Sequence, residues 1–159
     1  MRLLAATTAF EGIRAGTATF RAIIDMPARS SIGNIAFAEL SRATDLSARG
    51  VVYYVLYGFG GALLTGATWI AARRGRADAF VRRMTGVAFT CSLVILVLTT
   101  QAAPLMWRVG SSPNDPVLLG DLLDRFSAWS LGRVIATDVS FAAMLFVLAH
   151  LASRSAEPA

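Results

Sequence analysis

The sequence predicts an all-α protein, a four-helix transmembrane bundle with short amphipathic helices in its outer loops. Hydrophobic residues make up 55% of the chain and the mean hydropathy is +0.58, which is typical of a membrane protein. Residues 51–72 and 84–107 each run for more than twenty residues without a charge, enough to cross about 30 Å of hydrocarbon. We expect a lipid bilayer around one domain, residues 1–152, and a disordered tail, residues 153–159.

The first predicted span, residues 3–24, is charged, but its polar residues follow one helical stripe. Within roughly an 80° arc lie Thr7, Glu11, Arg14, Ala18, Arg21 and Asp25. That stripe can face the bundle interior while the apolar side faces lipid. We interpret the segment as a retained helix, because Glu11 and Arg14 interrupt its apolar run too early for a secretory signal.

Small residues predict how the first two spans meet. Gly12 and Gly16 form a GxxxG step on the first helix, and the second span carries a row of Gly58, Ala62 and Gly66. Such rows let helix backbones approach closely in membranes. We therefore expect the first and second helices to pack through these residues.

The fourth predicted span, residues 128–151, carries Arg133 and Asp138 about 140° apart around the helix. These two charges must therefore face different neighbours. Antiparallel helices would place Asp138 at the depth of Arg14, so we expect these two residues to pair. Arg21 and Arg133 would lie in the outer half, with Asp25 or an anionic ligand as the counter-charge.

The loop charges predict the orientation. Residues 73–83 contain five arginines and one aspartate, whereas the next loop region contains Asp115, Asp121 and Asp124. The positive-inside rule then places the arginine loop and both termini in the cytoplasm. All fifteen basic residues are arginine, which is typical of codon usage in GC-rich bacteria, so we expect the chain in a bacterial inner membrane. On the outer side, residues 32–43 and 116–126 each predict an amphipathic helix.

Several function classes are excluded by composition. The arginines are scattered rather than clustered on a nucleic-acid-binding face, so no nucleic-acid partner is expected. With one histidine, His150, and one cysteine, Cys91, the chain has no classical metal or haem ligand set. His150 is expected at a solvated helix end. Phosphate-loop, GxSxG, HExxH and CxxC motifs are absent, and we predict no cofactor.

The remaining polar residues predict a pocket in the outer half of the bundle. Its expected lining is Arg21, Tyr53, Tyr57, Gln101 and Arg133, open to the outside and suited to a small aromatic or anionic molecule. The alternative is a structural or accessory membrane subunit whose charges pair internally or with a partner chain. The sequence leaves open whether the chain forms a homo-oligomer or joins a partner subunit.

Four stretches carry a family resemblance: AGTATFRAIIDMP (residues 15–27), AFAELSRATDLSARG (36–50), TTQAAPLMW (99–107) and WSLGR (129–133). Together they resemble the anthrone-oxygenase-like family, small four-helix membrane proteins of mostly unknown function. Trp129 and Arg133 match a pattern near the start of that family's fourth helix. The family's histidine between these two positions is missing, and Gln101 is the nearest substitute for its asparagines.

The resemblance implies a second alternative, a cofactor-independent oxygenase acting on a polycyclic phenolic substrate. In that interpretation arginines stabilise an enolate-like anion and carboxylates move protons. The candidate catalytic residues are Glu11, Arg14, Arg133 and Asp138, with Arg21 as a further anion-stabilising residue and Trp129 at the ligand site.

Overall fold

The computed structural model describes residues 2–156, and within them the chain consists of helices joined by short connections, without strands. Helix α1 (Arg2–Phe20) continues through a π-helical turn (Arg21–Asp25) into α2 (Met26–Ile32). The remaining helices are α3 (Asn34–Ala43), α4 (Ala48–Arg74), α5 (Ala79–Ser111) and α6 (Pro116–Ala156). The predicted all-α class is confirmed.

Within the described residues, three helices are long and apolar enough to cross a membrane. They are α4, α5 and α6 up to Arg154, and they contain the predicted spans at residues 51–72, 84–107 and 128–151. The first predicted span, residues 3–24, is helical as expected, but its composition does not meet the same criterion. The structure thus establishes three candidate spans and a charged helix, α1, beside them.

The outer surface of the helices is apolar, which fits a lipid environment. Among the most exposed side chains are Ile13 at 65%, Leu63 at 73% and Phe146 at 61%. Serine, threonine and charged side chains are instead found in the interior of the same helices. A water-soluble fold would bury its large apolar side chains, so this arrangement indicates a bilayer as the solvent.

The long helices pack side by side, with α5 between α4 and α6 and with α1 between α4 and α6. At the arginine-rich end, a buried core joins Leu4 of α1 to both α5 and α6; its members are Leu4, Val81, Ala88, Ala143, Met144 and Val147. The beginning of α1, the α4–α5 turn and the end of α6 therefore lie at the same end of the molecule.

A second buried core lies at the opposite end, where α3 packs against α5 and α6. Its members are Phe37, Ala38, Ala102, Leu105, Met106, Val109, Leu119, Leu122, Leu123 and Phe126. Arg42 of α3 donates to the carbonyl oxygens of Val109 (3.0 Å) and Ser112 (2.8 Å) at the end of α5. These carbonyls have no partner within their own helix, so the guanidinium of Arg42 fixes α3 over the end of α5.

The two predicted outer helices have different outcomes. Helix α3 confirms the first, whereas residues 116–126 form no separate helix because they are the beginning of α6. Asp115 accepts a hydrogen bond from the backbone N–H of Val117 (2.8 Å), and Pro116 occupies the first position, where it needs no N–H donor. At the other end α6 includes residues 153–156 of the predicted disordered tail, and residues 157–159 lie outside the described part.

Glycines do bring α1 and α4 together, but not the predicted pairs. A Cβ at Gly60 would lie 3.1 Å from the Phe10 ring, and one at Gly61 would overlap the guanidinium of Arg14. A Cβ at Gly12 would instead lie 3.1 Å from the Phe141 ring of α6, and a Cβ at Gly16 would have no atom of another element within 4 Å. The predicted row on α4 turns toward α5, with Gly58 and Gly66 facing Leu96 and Phe89.

Asp78 fixes the α4–α5 turn to the end of α6. Its carboxylate accepts hydrogen bonds from the backbone N–H of Val81, the imidazole of His150 and the guanidinium of Arg154, each at 2.9 Å. His150 thus lies at the predicted end of its helix but is bound rather than free in solvent. The N–H of Val81, then His150 and Arg154, lower the pKa of Asp78 to about 2.

We expect Asp78→Ala to lower the thermal stability more than Asp78→Asn, because asparagine still caps α5 while alanine loses every contact. Since the folded pKa is depressed, the contribution of Asp78 is complete above pH about 4 and falls as the pH drops toward 2. Thermal unfolding of the detergent-solubilised protein between pH 7 and pH 3 tests this. Equal losses in both variants would contradict the capping role.

Candidate functional site

The charged residues of α1 enter the bundle as an ion pair. Nη1 of Arg14 lies 2.5 Å from Oε1 of Glu11, and the two side chains are 1% and 0% exposed. The expected pairing of Arg14 with Asp138 is wrong, because Glu11, three residues earlier on the same helix, binds the guanidinium instead. Asp138 instead accepts hydrogen bonds from the hydroxyl of Thr19, at 3.1 and 3.2 Å.

Neighbouring helices enclose the guanidinium of Arg14. Its Cζ lies 4.9 Å from the ring centroid of Tyr57 on α4, and the Tyr57 hydroxyl donates to the Arg14 carbonyl oxygen at 3.0 Å. On α5, Ser92 lies 3.4 Å from Nη1. Oε2 of Glu11 and Nε and Nη2 of Arg14 are buried without a hydrogen-bond partner. The pair is therefore enclosed by protein but not fully satisfied.

A second arginine site lies where the π-helical turn meets the beginning of α4. Both terminal nitrogens of Arg21 bind the carboxylate of Asp45, with Nη1 to Oδ1 at 2.7 Å, and Nη1 also contacts the Tyr54 hydroxyl. The Tyr54 hydroxyl donates to Oδ1 of Asp45 at 3.0 Å. The counter-charge of Arg21 is thus Asp45 in the connection before α4, where Asp25 or a ligand was expected.

Arg133 on α6 lacks such a carboxylate. Its Nη2 donates to the hydroxyl of Ser130 at 2.9 Å, and it makes no salt bridge within the described residues. Its Nε is buried without a hydrogen-bond partner. The guanidinium Cζ lies 5.5 Å from the ring centroid of Phe126, and Cζ of Arg21 lies 5.9 Å from the same ring. Two guanidinium groups therefore meet around one ring, with Asp45 as the carboxylate bound to Arg21.

The other predicted lining residues occupy different places. Tyr53 is 40% exposed, with its hydroxyl 3.4 Å from that of Thr17, and Trp129 is 41% exposed. Gln101 lies on the exposed side of α5, together with Thr90, Val94 and Val97. Of the predicted ligand-binding residues, the structure thus brings Arg21, Tyr57 and Arg133 toward the interior and leaves Tyr53, Gln101 and Trp129 on the surface.

Sequence reasoning missed three residues of the site: Asp45, Tyr54 and Phe126. Tyr54 belongs to a cluster with Tyr53 and Tyr57, whose ring centroids lie 5.4 to 6.4 Å apart. The closely spaced tyrosines in YYVLY, residues 53–57, were a usable signal for this cluster. Asp45 and Phe126 lie in segments outside the predicted spans, so helical spacing within a span could not connect them to the arginines.

Comparison of the chain with protein-family models, curated proteins and solved structures finds no match. Within the described residues, no group of three or more His, Cys, Asp or Glu side chains is placed to hold a metal ion. The chemical interpretation of the site therefore rests on its arginines, tyrosines and carboxylates.

We expect Glu11→Ala to destabilise the protein strongly, by about 3–5 kcal/mol, because Arg14 would remain buried without a counter-charge. Replacing both charges with apolar residues, Glu11→Leu with Arg14→Met, should recover most of this loss. Unfolding of purified variants in detergent or bicelles measures both effects. If the double variant is as unstable as Glu11→Ala, the penalty does not come from the unpaired arginine.

Gly61→Ala should also destabilise the protein, by about 1–3 kcal/mol, because the new methyl group displaces the Arg14 guanidinium from Glu11. Gly16→Ala is the matched control, since nothing lies within 4 Å of its added methyl group. The control should leave stability unchanged or raise it slightly, because alanine favours a helix more than glycine does. Equal stabilities of the two variants would show that Gly61 is not needed to accommodate Arg14.

Proposed function

We propose that this protein is a four-span integral membrane protein that binds a small organic anion with an aromatic body at Arg133. The observation that carries the proposal is the guanidinium of Arg133, which is turned into the bundle beside Arg21 and has no carboxylate partner among the described residues. Ligand binding in the outer half of the bundle is the function that best accounts for this guanidinium.

The proposed fourth span is α1. The exposed side chains of α1 and the π-helical turn include Ile13, Phe20, Ile23 and Ile24, whereas the buried ones of α1 include Thr7, Glu11 and Arg14. A helix divided in this way can cross a bilayer, because lipid meets apolar side chains while the bundle holds the charges. The positive-inside rule then favours a cytoplasmic position for the arginine-rich end, which includes both ends of the described chain. The proposed location is the inner membrane of a bacterium.

The unpaired guanidinium of Arg133 favours an anion. Glu11 pairs with Arg14 and Asp45 pairs with Arg21. Asp138 is bonded to Thr19, so no carboxylate among the described residues is bonded to Arg133. Arg133 and Arg21 also approach the same ring, with Cζ 5.5 and 5.9 Å from the Phe126 centroid, so two like charges lie close together. An unpaired arginine at membrane depth is costly, and a bound carboxylate or phenolate would offset that cost.

The side chains around Arg133 favour an aromatic body on that anion. Phe126 is buried next to both arginines, and the ring of Tyr54 lies 5.8 Å from Cζ of Arg21 and 6.4 Å from the ring of Tyr57. Aromatic rings pack edge to face or offset against one another, and Arg133 itself can stack on a ring. The guanidinium would hold the anionic oxygen while these rings contact the apolar part.

The oxygenase implied by the family resemblance is a second candidate that uses the same group. Arg133 would hold a phenolate or enolate oxygen of a polycyclic substrate, whereas the hydroxyl of Tyr54 already donates its proton to Asp45. Glu11 is paired with Arg14, and Asp138 is bonded to Thr19, so neither candidate carboxylate is bonded to Arg133. A structural or accessory subunit is the third candidate, in which a carboxylate from a partner chain would neutralise Arg133.

Binding of 1-naphthoate to the purified protein in nanodiscs tests the proposed function, with the neutral 1-naphthylmethanol as the matched ligand. Isothermal titration should show binding of the acid and much weaker binding of the alcohol. Arg133→Gln should weaken naphthoate binding roughly ten- to hundred-fold, the loss expected for a hydrogen bond to a charged group worth about 1.5–3 kcal/mol.

Arg125→Gln is the control variant, since Arg125 lies on the same helix, is exposed and makes a salt bridge to Asp121 of 4.0 Å. It should bind naphthoate like the unmodified protein. Absence of naphthoate binding, or equal binding by both variants, would refute the anion site at Arg133.

A further inference from the structure

The arginine-rich end carries an aromatic stack between α4 and α5 that the function proposed for Arg133 does not use. Trp69 of α4 stacks on Phe89 of α5 with ring centroids 5.4 Å apart. Its indole lies over Gly86, where a Cβ would come within 3.2 Å of Nε1. Cζ of Arg73 lies 4.4 Å from the centroid of the Trp69 ring. One turn from the end of α4, a tryptophan is thus held between a phenylalanine and a guanidinium.

A second arginine, Arg82, lies on the side of α5 that faces Trp69. Arg82 shares a helical stripe of α5 with Gly86 and Phe89, because residues three and four apart lie on one face. The stack on Phe89 and Gly86 therefore brings Trp69 to the side of α5 that carries Arg82. We call the set of Trp69, Arg73 and Arg82 the α4–α5 seam.

The α4–α5 seam has donors without acceptors. Arg73 and Arg82 are exposed and make no salt bridge within the described residues, and the Trp69 N–H has no hydrogen-bond partner there. The acid of this turn, Asp78, is already bound by Val81, His150 and Arg154. The seam therefore offers two guanidinium groups and an indole N–H to an acceptor from outside.

A phosphodiester provides the matching acceptor, since its oxygens accept charge-assisted hydrogen bonds from arginine and a further bond from an indole N–H. Leu93 of α5, on the same helical stripe as Arg82, is 43% exposed, and Ile70 and Leu63, on the neighbouring stripe of α4, are 45% and 73% exposed. Tryptophan is enriched at membrane interfaces, where its ring meets both headgroups and hydrocarbon. A phosphate attached to acyl chains fits this surface better than a free phosphate does.

We propose that the α4–α5 seam binds the phosphate of an anionic phospholipid, with the acyl chains along the apolar surface below it. This binding is distinct from a general attraction between arginines and an anionic leaflet, because it depends on which arginines are present. Arg74 and Arg83 directly follow Arg73 and Arg82 in the chain, about 100° further around each helix, and provide the comparison.

The test compares two double variants of equal net charge, Arg73→Gln with Arg82→Gln and Arg74→Gln with Arg83→Gln. Each protein, in a neutral detergent, is titrated with dioleoyl phosphatidylglycerol or dioleoyl phosphatidylcholine, and thermal unfolding and native mass spectrometry report binding. The unmodified protein should be stabilised more by phosphatidylglycerol than by phosphatidylcholine, and native mass spectrometry should show phosphatidylglycerol bound. The seam variant should bind this lipid at least about tenfold more weakly, while the Arg74/Arg83 variant keeps the binding.

Two further measurements complete the test. Trp69→Phe keeps an aromatic ring at the stack and removes the N–H, so it should weaken phosphatidylglycerol binding less than the seam variant does. Sodium phosphate should not reproduce the stabilisation. If both double variants lose the same amount of phosphatidylglycerol binding, the effect is a general attraction between arginines and anionic lipid. If sodium phosphate stabilises the protein and this depends on Arg73 and Arg82, the ligand is a soluble phosphate. Either result overturns the proposal.

Discussion

The buried pair of Glu11 and Arg14 is the constraint on which the arrangement of the bundle depends. Both side chains are buried because α1 turns this stripe toward the other long helices, as a charged helix that crosses a bilayer would have to do. The bundle accepts the pair because Gly61 leaves space for the guanidinium and Tyr57 covers it. Once α1 is fixed in this rotation, its continuation through the π-helical turn brings Arg21 to Asp45 and toward the Phe126 ring that Arg133 also approaches.

The length of α5 and α6 sets the second feature of the architecture. At 33 and 41 residues they extend for about 50 and 60 Å, well beyond about 30 Å of hydrocarbon. The surplus is packed rather than free, since α3 buries Phe37 and Ala38 against both helices and Arg42 binds the last carbonyls of α5. The proposed anion site at Arg133 lies near this covered end, and the proposed lipid site lies at the opposite, arginine-rich end.

The helical class, the positions of three apolar spans and the inward stripe of α1 could be predicted because each depends on periodicity and composition within one segment. The ion pairs could not all be predicted, because the partner of each arginine depends on the local and tertiary structure. Glu11 binds Arg14 from the same helix, and Asp45 binds Arg21 from the irregular connection before α4. Residues 116–126 have the composition of a separate amphipathic helix, yet no residue stops the helix before the span, so α6 runs through. The inward position of Arg133 was expected from the sequence, whereas its place beside Phe126 required the tertiary fold.

The most direct test of the account is whether α1 crosses the membrane. In a Cys91→Ser background, single cysteines at Arg2, Ser31, Arg76 and Asn114 would be labelled in intact bacterial cells with a membrane-impermeant maleimide, and again after permeabilisation. The account predicts labelling of the positions at 31 and 114 in intact cells, and labelling of those at 2 and 76 after permeabilisation only. Labelling of the positions at 2 and 31 from the same side would show that α1 does not span the bilayer, and would contradict the four-span bundle built around Glu11 and Arg14.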